Sequence, residues 1–238
     1  MATPFMIQSV AHKDLLICST GTVSYDSAWR WQQELRERRR VGDLPDILLL
    51  LDHPPTYTLG RSTKAEHVIG DVGKTGISVH EIERGGSVAY HGPGQIVGYP
   101  IIDLRHRGRD IHKYIRDLEE VLILTLANFG LESHRCSGLT GVWLGNQKIA
   151  AIGVHVRHWI TMHGFALNVS TSLDPYRDIK PCGLESEVMI SMEKLLGRKT
   201  PKPEQIRDEI TRQFESVFHC CSKTIEPDSL IRMLKFAK

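Results

Sequence analysis

The chain has 238 residues, 41% of them hydrophobic and 24% charged, with 30 Lys and Arg set against 28 Asp and Glu. This length can bury a substantial core in one large domain or two small ones, and the composition is that of a globular enzyme rather than a disordered or fibrous chain. A net charge of +2 excludes a general polyanion binder such as a nucleic-acid protein, and no apolar run approaches the ~20 residues of a membrane span.

In chain order, the first predicted helix runs from Asp26 to Arg40, with Ser24 or Asp26 as N-cap, Ala28, Trp29 and Leu35 as apolar positions, and Gly42 past its end. Ile47 to Leu51 is a continuous apolar run stopped by Pro54-Pro55, the pattern of a buried strand, and Tyr57-Thr58-Leu59 reads as its return. Ile77 to Glu83 alternates, which directs Ile77, Val79 and Ile82 inward; Gln95 to Leu104 reads as a central strand. From Asp110 to Phe129, apolar residues recur at three and four with Gly130 behind them, which predicts a second helix.

Val142-Trp143-Leu144, a Gly145-Asn146 turn and Lys148 to Val156 form a hairpin signature, and Trp159 to Val169 a further strand. Pro203 to Phe218 and Ser229 to Phe236 read as amphipathic helices. Strands in the middle and helices around them, without regular βαβ alternation, predict an α+β fold with a mixed, mostly antiparallel sheet and flanking helices.

Five cysteines (Cys18, Cys136, Cys182, Cys220, Cys221) show no CxxC or Cys/His spacing, so neither a zinc site nor a disulfide framework is expected. The N-terminal residues lack a signal or transit pattern, and a reducing, cytoplasmic setting is expected. Two local basic runs, Arg36 to Arg40 and Arg105 to Arg109, read either as solvated faces or as a landing surface for an acidic partner.

Two residues suit acyl transfer. Cys182 stands alone among the cysteines in a Pro/Gly-framed turn, Lys180-Pro181-Cys182-Gly183, and Lys148 sits in the apolar stretch Lys148 to Val154. A thiolate attacks a thioester, and a desolvated lysine manages the protons. Arg84 to Gln95 is too rich in Gly and polar groups to be packing alone; it lacks the P-loop arrangement GxxxxGK[ST].

Arg84-Gly85-Gly86, Tyr90-His91-Gly92-Pro93-Gly94-Gln95, Tyr99-Pro100, Lys148-Ile149-Ala150-Ala151-Ile152-Gly153, His163 to Asn168 and Pro181-Cys182-Gly183 together resemble, in order, the blocks of the lipoyl(octanoyl) transferases. The resemblance runs from about Asp46 to Leu196. It departs at Ala89, where that family usually carries threonine. It implies a single catalytic domain over 1–238, with the fold of the biotin and lipoate ligase catalytic domains. The implied activity moves an octanoyl group from acyl carrier protein to a lysine of lipoyl-dependent proteins, the lipoyl domains of 2-oxoacid dehydrogenase E2 subunits and the glycine cleavage H protein.

Cys182 would carry the acyl thioester, with Lys148 beside it. Substrate contacts would come from Arg84, Gly85, Gly86, Ser87, Val88, Ala89, Tyr90 and His91, from Ala151, Ile152 and Gly153, and from Gly164, Phe165 and Ala166. No cofactor, metal, nucleic acid or membrane is expected, and the default state is a monomer.

Chemistry read from the residues agrees: one thioester becomes another, so no ATP is needed. A thiol of pKa ~8.5 gains from a nearby ammonium, and small residues at Ala150, Ala151 and Gly153 leave room for a narrow apolar channel. Backbone N–H groups near Gly183 are candidates for the oxyanion. His91 is expected to support the substrate wall and His163 to lie near the Cys/Lys pair, the plainer reading of both being satisfied core histidines. Three other functions stay open: an ATP-dependent lipoate or biotin ligase, a Cys-His hydrolase, and a carrier-binding module without turnover.

Overall fold

The computed structural model describes residues 14–181 and 188–235. Its strands are β1 (Asp14–Thr22), β2 (Asp46–Asp52), β3 (Thr56–Leu59), β4 (Ser78–Glu81), β5 (Val88–His91), β6 (Gln95–Ile101), β7 (His134–Cys136), β8 (Leu139–Leu144), β9 (Gln147–Arg157), β10 (Ile160–Asn168) and β11 (Cys221–Thr224). The helices are α1 (Tyr25–Val41), α2 (Ile111–Asn128), α3 (Met192–Leu196), α4 (Pro203–Phe218) and α5 (Pro227–Lys235). An eight-stranded sheet has the order β11-β1-β2-β6-β10-β9-β8-β7, and a three-stranded sheet the order β4-β3-β5. β1 runs parallel to both β11 and β2, whereas β2, β6, β10, β9, β8 and β7 pair antiparallel in turn. The fold is α+β with a mixed sheet, as the sequence predicts.

Helices cover both faces of the large sheet, and this explains the unbroken apolar run of β2. Leu48 and Leu50 enter the layer under α2 and α4, while Ile47, Leu49 and Leu51 enter the layer under α1 and α5. A strand buried on both faces has no polar side to alternate with. The caps agree with the sequence: Ser24 accepts from the Ser27 N–H, Gly42 ends α1 in the left-handed conformation (φ 88), and Asp110 accepts from the Lys113 N–H at 2.9 Å.

Two expectations need correction. Tyr57 to Leu59 does not return along β2; as β3 it leaves for the small sheet, where it pairs with β4 and β5. The Pro54-Pro55 pair denies the chain the N–H groups a tight hairpin on β2 would use. Val79 is 38% exposed rather than inward, because β4 is an edge strand with little packed over it.

The two basic runs, 65 residues or more apart, meet at the end of the large sheet. Arg39 pairs with Asp46 at 2.8 Å and with Asp103 at 3.4 Å, Arg105 with Asp103 at 2.7 Å, and Arg107 with Asp46 at 3.3 Å. Arg105 also donates to the Arg40 carbonyl at 3.1 Å. Both carboxylates are buried, so these arginines serve an internal ion-pair cluster that docks α1 against the β6–α2 connection.

Candidate active site

An apolar slot opens on the α1 side of the large sheet, walled by the segment leading into β5 and by β9 and β10. Arg84, Gly86, Val88, Ala89 and His91 form one wall, Ala151, Ile152 and Gly153 another, and Gly164, Phe165 and Ala166 a third. Eleven of the expected substrate contacts therefore converge on one cavity. Three do not line it. Gly85 donates its N–H to the Val154 carbonyl at 2.9 Å, which ties the loop to β9; Ser87 hydrogen-bonds His67; and Tyr90 turns its ring to Tyr57 and Tyr176. The open volume is about 50 Å³, so the slot is a narrow cleft.

Glycines make the slot possible by close approach. A β-carbon at Gly153 would lie 3.0 Å from both Arg84 Cδ and the Gly85 oxygen, and one at Gly164 would lie 2.5 Å from Pro100 Cδ. The Phe165 ring lies directly over Gly98 on the neighbouring strand, where no side chain could fit beneath it.

Tyr25 and Val97, which sequence reasoning did not find, and Tyr99, which entered only as part of the resemblance with no substrate role, complete the lining together with His163. Tyr25 is the first residue of α1 and reads from sequence as a helix start. Tyr99 donates its hydroxyl to His53 Nε2 at 2.7 Å, and His53 donates Nδ1–H to the Val23 carbonyl at 2.7 Å. Burial drives the His53 pKa down to about 4. Tyr25, His91 and Tyr99 line the slot, and the buried His53 ring packs against all three behind that lining.

His163 is in the slot wall, with Nε2 3.8 Å from Glu83 Oε1, too far for a hydrogen bond. It sits at φ 57, a conformation a non-glycine residue adopts at a cost, and its N–H is held by Gln32 Oε1 at 2.8 Å. Burial lowers its pKa, and Glu83 offsets only part of this. Its Nε2, like the indole N–H of Trp143, is buried without a hydrogen-bond partner among the described residues.

Lys148 is 2% exposed, as expected of it, but it does not line the slot itself. The β8–β9 register explains its orientation. Trp143 faces Lys148 and Val142 faces Ala150, so Ile149 is an extra residue, a bulge. Val142, Ile149 and Ala150 all enter the layer under α2 and α4, which leaves Lys148 on the other face with Ala151 and Gly153. Its Nζ lies 5.5 Å from the centroid of the Trp143 ring, a cation–π contact. The stem runs over Gly141, which has φ 124 and donates its N–H to the buried Glu119 carboxylate at 3.0 Å. Glu119 is held in turn by Arg116 and Arg135 at 2.6 and 3.1 Å.

Cys182, and with it Gly183, lies outside the described residues. The chain on either side is well anchored. Before it, the Lys180 N–H donates to the His67 carbonyl at 2.8 Å. After it, Met189 bridges to Lys148, and the Ile190 N–H donates to the Lys148 carbonyl at 3.0 Å. Of the other cysteines, Cys18 and Cys220 are buried, and burial pushes both thiols up to about 11. Such thiols are packing groups rather than nucleophiles.

One polar chain crosses the site. Arg84 Nη2 donates to Thr58 Oγ1 at 2.8 Å, which lies 3.4 Å from His91 Nε2. His91 Nδ1 is 2.8 Å from Gln95 Oε1, Gln95 Nε2 donates to Asn168 Oδ1 at 2.9 Å, and Asn168 Nδ2 donates to the Ile190 carbonyl at 3.1 Å.

Comparison with known proteins follows the same lines. The family model described as the lipoyl protein ligase A/B catalytic domain matches residues 24–215. An octanoyltransferase of Gloeobacter violaceus is 47% identical over 204 residues, covering 85% of this chain and 90% of its own. An octanoyltransferase of Caldicellulosiruptor saccharolyticus is 43% identical over 226 residues, covering 93% and 96%. Among solved structures, lipoate-protein ligase A bound with ATP superposes with a TM-score of 0.73 at 20% identity, covering 96% of each chain. A putative lipoate protein ligase from T. acidophilum with bound lipoic acid gives 0.73 at 19%, covering 94% and 95%.

Proposed function

The chain belongs to the lipoyl protein ligase A/B catalytic-domain family, and from that premise we propose that it transfers an octanoyl group through a thioester on Cys182, with Lys148 moving the protons. It is an acyltransferase of protein lipoylation, a single catalytic domain in our reading. The donor is octanoyl-acyl carrier protein. The acceptor is a lysine on the lipoyl domain of a 2-oxoacid dehydrogenase E2 subunit or on the glycine cleavage H protein.

One observation carries the mechanistic reading: the segment that includes Cys182 rejoins the sheet at Met189 and Ile190, on the backbone of Lys148 itself. The cycle starts from a Cys182 thiolate and a Lys148 ammonium. The thiolate attacks the donor carbonyl, a new C–S bond forms, the donor C–S bond breaks, and the departing thiolate takes its proton from Lys148. The neutral acceptor amine then attacks the Cys182 thioester and passes its extra proton to the Lys148 amine. The amide forms, the Cys182 thiolate leaves, and the starting protonation state returns. Thioester exchange is nearly isoenergetic, so binding and proton placement supply the catalysis.

Intact-mass spectrometry after incubation with octanoyl-acyl carrier protein tests this. One octanoyl adduct, removed by hydroxylamine and absent in Cys182→Ala, is the expected result; an adduct that persists in Cys182→Ala overturns the covalent route. The fold shared with lipoate-protein ligase A bound with ATP supports a second reading, activation of a free acid. Turnover of octanoate that requires ATP would establish it, and turnover from the thioester without ATP would exclude it. Among the described residues no helix is long and apolar enough to cross a membrane, and the cytoplasm is the setting we propose.

A further inference from the structure

Two backbone carbonyls determine where the protons sit in the polar chain that crosses the site. The Ile190 carbonyl can only accept, so the Asn168 atom 3.1 Å from it is the amide nitrogen. Asn168 Oδ1 therefore faces Gln95, and the Gln95 atom 2.9 Å away is nitrogen. The Tyr90 carbonyl, 3.2 Å from the same Gln95 nitrogen, imposes the same orientation independently. Gln95 Oε1 is then the atom 2.8 Å from His91 Nδ1, so Nδ1 carries a proton. At the other end, Thr58 Oγ1 accepts from Arg84 and keeps its own proton for His91 Nε2. Every donor points the same way, from the Arg84 guanidinium towards Lys148, whose carbonyl receives the Ile190 N–H.

We infer that Gln95 and Asn168 are positioning residues, which lock His91 as the neutral Nδ1–H tautomer and hold its wall of the slot in register with the Lys148 strand. The inference rests on reading the slot as the acyl-transfer site. The groups facing His91 agree with a neutral ring. Arg84 from the loop before β5, His53 after β2 and His163 on β10 all oppose a positive charge there; Tyr25 on α1 stacks at 6.1 Å, and among the described residues no carboxylate acts on it electrostatically. Burial, the largest influence, lowers its pKa to about 3. A bare Nε2 thus faces the Thr58 hydroxyl at the slot wall, and Arg84 supplies a formal positive charge beside it. Gln95 is 1% exposed and Asn168 is 1% exposed, so water does not substitute for either link.

Long-range 1H–15N correlation spectra of the 15N-histidine-labelled full chain at pH 7.5 read the tautomer directly, with His91→Gln identifying the His91 signals. The neutral Nδ1–H pattern is expected; an Nε2–H pattern or an imidazolium overturns the inference, and neither result depends on turnover. Gln95→Glu still accepts the Nδ1 proton but adds a charge that favours imidazolium, so the variant acquires an acid limb in its pH–rate profile between pH 5 and 7. An unchanged pH–rate profile in Gln95→Glu also overturns it. Asn168→Asp keeps the size but cannot donate to Ile190: kcat for octanoyl transfer falls about tenfold with KM for octanoyl-acyl carrier protein within about twofold. Wild-type kcat in that variant removes Asn168 from the positioning role. A chain that failed to transfer octanoate at all would sink the proposed function yet leave the spectroscopic result standing.

Discussion

Gly141 and Lys148 share one space: a β-carbon at Gly141 would lie 2.6 Å from Lys148 Cε, and 2.5 Å from the Ala150 oxygen as well. The lysine stem runs where any other residue would project a side chain, and φ 124 at Gly141 adds a backbone reason for glycine. Gly141→Ala is expected to cost about 2 kcal/mol or more of stability and to displace the Lys148 amine. Urea denaturation reads the first effect. Single-turnover octanoyl transfer under folding conditions reads the second, and full activity there would show that the stem's path is immaterial.

Lys148→Met keeps the apolar stem against Gly141 and Trp143 and removes only the amine. The variant should fold with a urea midpoint close to wild type, while Cys182 acylation slows by about a hundredfold or more. Lys148→Arg should not restore the rate, because the planar fork is larger than the gap between Gly141 and the Trp143 ring. The check is the time course of the octanoyl adduct by intact mass.

His53 and His91 make stability depend on pH. An unfolded histidine takes up a proton near its ordinary value of 6.5, whereas burial holds folded His53 to about 4 and folded His91 to about 3. Between these values the unfolded chain binds more protons, so their contribution is complete above 6.5 and is lost as pH falls through the window. Each histidine contributes up to about 1.4 kcal/mol per pH unit there. Unfolding free energies measured at pH 7.5 and pH 5 should therefore differ by about 2–4 kcal/mol, and His53→Gln should flatten the slope. A flat profile would show that these rings are charged or solvated in the folded protein.

Gly98→Ala drives a methyl group into the Phe165 ring, which packs in the layer under α2 and α4 on β10, the strand whose Gly164 and Ala166 border the slot. Overpacking of this kind costs about 1–3 kcal/mol, and the strain is relieved by moving β10 towards the slot that it borders. Transfer rates across donors from butanoyl to decanoyl should shift towards the short chains; an unchanged preference would mean that the acyl chain does not pass Phe165.

The sequence was most legible where one signal dominated. Pro203 to Phe218 is α4 to the residue, and the Gly145-Asn146 turn marks the β8–β9 hairpin. Eleven of the slot's residues were legible only through the resemblance, whose short blocks meet when β9 pairs with β10, while Ala150, expected to leave room for the channel, faces the other layer. Tyr25 was not legible: a tyrosine at a helix start reads as ordinary core, Tyr99 entered only within the Tyr99-Pro100 block of the resemblance, and the tertiary fold turns both to one cavity. Asp46 and Asp103 were equally silent, single acids whose burial turns two apparent surface patches of arginine into an internal cluster. Strand β1 and its parallel partner β11 went unread because their pairing joins residues some 200 positions apart, as Asp14 with Cys221.

Ile149 has a consequence for anyone editing this chain. On a strand, which side a residue visits is a matter of odd and even, and the bulge breaks that parity once. Deleting Ile149 would restore plain alternation and keep the lysine on its present face, whereas inserting one residue between Ala150 and Gly153 would leave an apparently intact lysine-bearing motif. Yet it would swing the amine through the sheet into the oily layer beneath α2 and α4. The count of residues there is a tighter constraint than their identity, and a graft or chimera that joins homologous segments must preserve the count first.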